Sequence, residues 1–250
     1  MTDFSIITAT MNAEATIVDC LSSIYHQEDV SVEHLLIDGG STDRTVEIVH
    51  EFGKASHVIS EVDNGLYDAM NKGIKLASGD IIGILNGDDF YSHNQVLSTL
   101  LKTFNKQKSD SCYGDLQYVN FNEPDRVIRH WRSGTFNTPK QFYWGWMPPH
   151  PTFFVKKEVY ERLGLFNLQL GSAADYEIML RFLVKHNLST SYIPEVLVKM
   201  RSGGVSNASI SNRITANKMD RKAWKVNGLK PYPFTLMMKP ARKISQWFLK

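Results

Sequence analysis

Between Phe4 and Asp89 the chain repeats one local pattern: a run that stays apolar from residue to residue, a polar turn, then a segment with helical spacing. The apolar runs are Phe4-Ser5-Ile6-Ile7-Thr8-Ala9, His34-Leu35-Leu36-Ile37-Asp38, His57-Val58-Ile59-Ser60 and Asp80-Ile81-Ile82-Gly83-Ile84-Leu85. Between them lie the helical stripes Ile17, Leu21 and Ile24; Val46, Val49 and Phe52; Leu66, Met70 and Ile74. Asn12, with Glu14 behind it, reads as the N-cap of the first helix, and Gly79 as the stop of the third. A strand that is apolar on both sides has to be covered on both faces. The alternation therefore predicts an α/β fold: a mostly parallel, Rossmann-like central sheet flanked by helices.

In open sheets of this kind ligands bind beyond the carboxyl ends of the strands. Asp38, the stretch Glu61 to Asp63 and the stretch Asn86 to Asp89 all fall there. Acidic groups gathered at successive strand ends repel one another unless a cation or a hydrogen-bonding ligand joins them. Asn86-Gly87-Asp88-Asp89 puts carboxylates on a turn behind a buried strand. That suits a hard divalent cation that also takes diphosphate oxygens, although the same residue types make ordinary turns. Asp38-Gly39-Gly40-Ser41-Thr42-Asp43 offers close backbone approach and a helix N-terminus that favours anions, or simply a capped junction. Asp63-Asn64-Gly65 and Asn71-Lys72-Gly73 bracket a helix whose propensity does not ask for them. Lys72 is either a diphosphate or carboxylate partner or a solvated surface lysine.

The second half reads differently. Tyr113 to Arg132 is β-like and polar, and Phe142 to Pro151 is an aromatic, Pro-rich loop. Trp144, Trp146 and His150 in that loop either stack on a bound ligand or pack on the sheet. Val159 to Leu163 reads as a short helix, and Tyr176, Met179, Leu180, Leu183 and Val184 mark another that opens at Asp175. Asp175 is the general-base candidate; its alternative is a first-turn acid favoured by the helix dipole. Arg201-Ser202-Gly203-Gly204-Val205-Ser206 is a loop, or a segment able to close over phosphates.

The net charge of +2 hides an asymmetry. Lys218 to Lys250 holds nine basic residues and one acid, Asp220, so the remainder carries 19 basic and 25 acidic residues. An acidic body and missing nucleic-acid motifs exclude a nucleic-acid binder, while the basic tail points to an anionic surface. In the tail Ile244, Trp247 and Phe248 share one helical face with basic flanks, the pattern of an interfacial helix, or of a helix packed on its own protein. Cys20 and Cys112 cannot make a disulfide framework or a multi-cysteine metal site. No apolar run is long enough for a transmembrane helix and the start carries no secretory pattern, so a cytoplasmic location is expected.

Phe4 to Asn12, Ile37 to Asp43, Asp63-Asn64-Gly65-Leu66-Tyr67-Asp68-Ala69-Met70-Asn71-Lys72-Gly73 and Leu85-Asn86-Gly87-Asp88-Asp89 occur in that order. Together they resemble the family-2 glycosyltransferases of the GT-A fold, and among them bacterial enzymes of colanic-acid, capsule and O-antigen assembly. The resemblance is specific over residues 4–90 and continues more loosely through His150 to Phe154 and Ala174 to Glu177 to about Asn207. It implies a glycosyltransferase domain over 1–207, with a nucleotide-binding half (1–90) and an acceptor-binding half (91–207). Residues 208–250 form a basic, amphipathic helical extension outside it.

The resemblance also implies roles. Thr8, Ala9 and Asp38 would line the nucleotide base, with Asp63 on the other side of base and ribose, and Asn12, Lys72 and Gly87 in the same donor-binding set. Asn86 stands at the first position of the family's Asp-x-Asp motif, where Asp is commoner, and would touch ribose. Asp88, at the third position, would bind Mn²⁺ or Mg²⁺ bridging the diphosphate. Asp175 matches the base of inverting members. The absence of a Gln-x-x-Arg-Trp motif argues for single-sugar addition rather than processive synthesis. Implied partners are a nucleotide-sugar, by default a UDP-sugar, and a glycan acceptor; a lipid-linked one would make peripheral membrane contact by the tail sensible. The rival readings are a nucleotidylyltransferase, which would carry a Gly-rich basic loop where Thr10-Met11-Asn12-Ala13-Glu14 stands, and a non-catalytic sugar-nucleotide or glycan-binding module.

Overall fold

A computed structural model describes residues 2–203 and 210–245, with side chains from 216 to 242 in the second stretch. Gly204 to Ser206 of the proposed closing segment, the Ile244 side chain, and Trp247 and Phe248 lie outside the described residues. The chain runs β1 (Phe4–Thr10), α1 (Ile17–Tyr25), β2 (Val32–Asp38), α2 (Thr45–Phe52), β3 (His57–Ser60), α3 (Leu66–Leu76), β4 (Ile81–Ile84) and β5 (Phe90–Tyr91). It continues with α4 (Val96–Gln107), β6 (Ser111–Val119), β7 (Val127–Trp131), α5 (Lys140–Tyr143), β8 (Phe154–Lys156) and α6 (Lys157–Leu163). Then come α7 (Ala174–Met179), β9 (Thr190–Arg201), α8 (Ile210–Val226) and α9 (Thr235–Ser245).

The described strands form one sheet in the order β3-β2-β1-β4-β8-β6-β9-β5, with β7 paired to β6. β1 pairs in parallel with both β2 and β4, and β2 with β3. Antiparallel pairing enters at β8, which bridges β4 and β6, while β6 and β9 run parallel. Every residue of β1 is buried, as a strand covered on both faces must be. Ile7 and Ala9 point into one core with Met70 and Ile74 of α3; Phe4 and Ile6 point into the other with Ile17, Leu21 and Ile24 of α1. Gly73 is what lets α3 lie close on the sheet, because a side chain there would overlap Ile7.

Two boundaries differ from the sequence reading. α1 starts at Ile17, because Asn12 sits in the left-handed region at φ 51° and its side chain is used elsewhere. α3 ends at Leu76, and Gly79 instead allows close passage over the Phe4–Ser5 backbone. The described part of the tail packs on the body. Trp224 is fully buried, and its indole N–H donates to the Tyr176 hydroxyl at 3.0 Å. The Asn227 amide donates to Glu177 at 3.0 Å, and the Thr235 hydroxyl to the carbonyl of Tyr143 at 2.8 Å.

Candidate functional site

The acidic turn is built on the end of β1. The amide of Leu85 donates to Ile7 and that of Gly87 to Ala9, continuing the parallel ladder past β4. A side chain at Gly87 would run into the Thr10 hydroxyl, so the turn lies flat against β1. Thr16 donates to the carbonyl of Gly87 at 3.0 Å, and the amide of Asp89 closes the turn on Asn86 at 3.0 Å. Arg201, at the end of β9 and almost wholly buried, donates from Nη1 to the carbonyl of Asp88 at 3.0 Å. Its other nitrogens bond Asp19 of α1 and the carbonyl of Phe121, and its plane lies over the Phe90 ring.

Burial pushes the Asp88 carboxyl above the usual range, opposed by its own backbone and the Arg201 charge. Asp89 is fully buried and is pushed up further, first by desolvation and then by Asp88. Asn86 Oδ1 and both Asp89 oxygens are buried without a hydrogen-bond partner in the protein. Buried acceptors left unsatisfied are costly, so this donor set fits a cation-bearing ligand. No cluster of three or more His, Cys, Asp or Glu is gathered for a metal among the described residues. A divalent ion at Asp88 would therefore complete its shell with diphosphate oxygens and water, as Mg²⁺ commonly does.

Asp38, at the end of β2, is fully buried and spends both oxygens on its own loop. Oδ2 accepts from the amides of Gly40 (3.1 Å) and Ser41 (2.9 Å) and from the Ser60 hydroxyl (2.7 Å), while Oδ1 accepts from the Ser41 hydroxyl. Asn12 laces the β1 loop to this one: its amide donates to Ser41 Oγ at 2.7 Å and its Oδ1 accepts from the amide of Thr42 at 2.9 Å. Asp63 Oδ1 accepts from the amide of Gly65, and its Oδ2 faces Gly39, within 3.0 Å of where a side chain there would begin. The Asp38 loop, Asn12 and Asp63 are thus brought together at one end of the sheet. Thr8 is not among them. It points to the α1 side, bonded to His34 Nε2 at 2.9 Å and facing Cys20, because alternate residues of a strand face opposite ways. Lys72 is paired with Glu61 at 2.8 Å and with Asp68 at 3.7 Å, and the bond to Glu61 leads in raising its pKa.

Asp175 is the second residue of α7, and its Oδ1 accepts from the amide of Tyr176 at 2.7 Å. The Tyr67 hydroxyl of α3 lies close to Asp175; burial first, and then the Asp175 charge, raise its pKa. Tyr67 lies against Phe166 with ring centroids 5.3 Å apart, and His150 meets the same ring edge-on at 5.5 Å. Asn71, one turn along α3, holds Phe166 by two bonds, Nδ2 to its carbonyl (3.0 Å) and its amide to Oδ1 (2.9 Å). Burial lowers the His150 pKa, against the pull of the Asp175 charge.

The aromatic loop divides. Trp146 is buried, stacked on Phe136 at 5.0 Å, and its indole N–H donates to the carbonyl of Ser133 at 2.7 Å, so it is core and has no open face for a sugar. Trp144 is exposed and packs on Phe234, away from Phe166. Only His150 of the three stands beside Asp175. Tyr67, Asn71, Phe166 and Arg201 escape a reading by residue type. Tyr67 and Asn71 sit inside the Asp63-to-Gly73 run, which was the available signal.

The model of glycosyl transferase family 2 matches residues 5–164. This chain belongs to that family. It is 30% identical over 215 residues, 83% of this chain and 80% of the other, to a PGL/p-HBAD biosynthesis glycosyltransferase of Mycobacterium bovis BCG. Among solved structures it is similar to S. aureus TarS 1-349 in complex with UDP-GlcNAc, with TM-score 0.71 at 19% identity over 99% of this chain and 73% of that one. It spans 44% of the longer TarS chain. It is also similar to the mannosyltransferase PcManGT of Pyrobaculum calidifontis in complex with GDP-Man and Mn²⁺, with TM-score 0.65 at 19% identity over 96% of this chain and 68% of that one. The chain is a glycosyltransferase, and these likenesses carry its GT-A architecture.

Proposed function

We propose that this glycosyltransferase moves one sugar from a UDP-sugar onto an acceptor hydroxyl, with inversion and with a divalent cation, in assembling a bacterial surface polysaccharide in the cytoplasm. The observation that carries the reading is the turn from Asn86 to Asp89, packed flat against β1 with Asn86 Oδ1 and both Asp89 oxygens buried and without a hydrogen-bond partner in the protein. Asn86 and Asp63 would hold ribose and base; the Asp38 loop would shape the base pocket through its backbone, since both Asp38 oxygens are already bonded. Asp88 would hold Mn²⁺ or Mg²⁺, which when bound neutralises charge on the leaving diphosphate. Asp175, oriented by Tyr67, takes the proton of the acceptor hydroxyl as that oxygen attacks the anomeric carbon. His150 and Phe166 would form the acceptor wall. Structures of the same architecture holding UDP-GlcNAc, or GDP-Man with Mn²⁺, support a nucleotide-sugar and a cation here. A panel of nucleotide-sugars screened by thermal shift, with and without Mn²⁺, tests it. One donor should raise Tm selectively and in an Mn²⁺-enhanced way, and the Asp88→Ala variant should lose the effect. No shift with any nucleotide-sugar or nucleotide would overturn it.

A further inference from the structure

The Asp175 region is flanked by an exposed aromatic face that its chemistry does not use. Trp144 is 51% exposed and Met237 71%, and Tyr232 and Phe234 are exposed beside them. These side chains are contiguous: Trp144 packs on Phe234 at 5.0 Å, Phe234 on Tyr232 at 5.5 Å, and Tyr232 on Tyr143 at 5.0 Å. The amide of Met237 bonds the carbonyl of Phe234, so Met237 continues the same face. The face is firmly seated, since a side chain at Gly145 would overlap the backbone of Met238 and Lys239. Other exposed apolar side chains, such as Met11, Val62 and Val127, come from separate segments, whereas these rings touch one another, and contiguous exposed apolar surface marks a contact site.

Charge selects the occupant. From Ala216 to Arg242 the chain carries seven Lys or Arg and one acid, Asp220. Asp220 is paired with Lys239 at 2.6 Å, which leaves no uncompensated acid in that stretch. Lys218, Arg221, Lys222, Lys225 and Lys230 are exposed. Tryptophan and tyrosine rings, apolar in body and polar at the tip, on a segment whose exposed charges are cationic, match the headgroup region of an anionic bilayer. No described helix is long and apolar enough to cross one.

We infer that the face formed by Trp144, Tyr232, Phe234 and Met237, with the basic side chains of α8 and the α8–α9 link, docks on an anionic membrane surface. The face is tied to α7, the helix that carries Asp175, because Lys239 of α9 lies 3.5 Å over the buried ring of Tyr176. The inference deepens the transferase reading by placing its acceptor at a lipid surface.

The test is co-sedimentation of the full chain with vesicles of phosphatidylcholine alone and of phosphatidylcholine with phosphatidylglycerol. Binding should require the anionic lipid and weaken with salt. Met237→Asp, at a site too exposed to disturb the fold, should weaken it roughly tenfold or more, and Lys225→Glu with Lys230→Glu likewise. Val127→Asp, an exposed apolar position on β7, should leave it unchanged. Equal binding to both vesicles, no binding, or Met237→Asp binding like wild type overturns the inference. So does a dimer, seen by light scattering, that Met237→Asp dissolves. The Mn²⁺–UDP thermal shift of Met237→Asp should equal that of wild type. If wild type shows no such shift yet binds vesicles as described, the transferase reading fails and the docking face stands.

Discussion

Arg201 Nη1 donates to the backbone carbonyl of Asp88 at 3.0 Å, so the end of β9 holds the turn that carries the candidate cation ligand. The same guanidinium bonds Asp19 and the carbonyl of Phe121, and it partly offsets the charges of Asp88 and Asp89. Arg201→Ala removes one partner of several buried groups at once. Asp19 is half exposed and can be hydrated, so we expect a loss on the order of 1–3 kcal/mol in unfolding free energy, measured by urea titration. Arg201→Lys keeps the charge but cannot fork to three acceptors. It should fold with an intermediate loss and bind Mn²⁺–UDP more weakly by calorimetry. Full stability in Arg201→Ala would show the clamp to be idle.

Asp175→Asn preserves shape and the bond to the Tyr176 amide while removing the base. Turnover should fall roughly 10²- to 10⁴-fold with donor affinity unchanged, since the donor is held on the other side of the cleft. Product formation by chromatography and UDP binding by calorimetry check the two halves. Tyr67→Phe keeps the ring on Phe166 and deletes the hydroxyl that meets Asp175. It should lower kcat roughly tenfold and leave the donor KM alone, as expected of a group that only orients the base. A raised donor KM with kcat intact would place Tyr67 in the donor pocket instead.

His34 gives a pH prediction. It is buried between the Tyr25 hydroxyl (2.7 Å) and the Thr8 hydroxyl (2.9 Å), and burial lowers its pKa from 6.5 to about 4. The unfolded chain therefore binds a proton at higher pH than the folded one. Between pH 6.5 and 4 the unfolded state holds more protons, so stability rises with pH and is lost as pH falls through that window. The His34 contribution to that loss is on the order of 3 kcal/mol. His34→Gln should flatten the acid limb of a stability-versus-pH curve. An unchanged limb would show that other groups set it.

The donor half was legible because β1, β4 and most of β2 are buried on both faces and so read as unbroken apolar runs; β3, a half-buried edge strand, and the ends of β1 and β2 also fall within a residue or two of where the sequence puts them. β9 was not. Thr190 to Arg201 contains Pro194, Glu195 and Lys199, and its twelve residues become a strand only by pairing with β6. The acidic turn and Asp175 were visible as residue types at strand and helix ends. What each side chain bonds was not, because Asp38 is consumed by Ser41 and Ser60, and the second contact depends on β2 and β3 pairing. The packing of the tail was hidden for the same reason. Its basic composition is plain in the sequence, but the bonds of Trp224 to Tyr176 and of Asn227 to Glu177 join segments some fifty residues apart.

The two tryptophans of the aromatic loop, which composition alone cannot tell apart, make the last prediction. Trp146 is enclosed by Tyr113, Phe136 and Phe142 and bonded to Ser133, so Trp146→Ala leaves a cavity and an unpaired carbonyl. A loss of about 3–5 kcal/mol is expected, with a corresponding fall in Tm. Trp144 is half in solvent and touches only Phe234 among the rings, so Trp144→Ala should change stability by less than about 1 kcal/mol. Its effect should be on vesicle binding, which Trp146→Phe, keeping an aromatic ring in the core, should spare. Paired urea titrations and co-sedimentations of these variants separate the roles. If Trp144→Ala unfolded as readily as Trp146→Ala, both rings would be core and the docking face would lose its most exposed aromatic side chain.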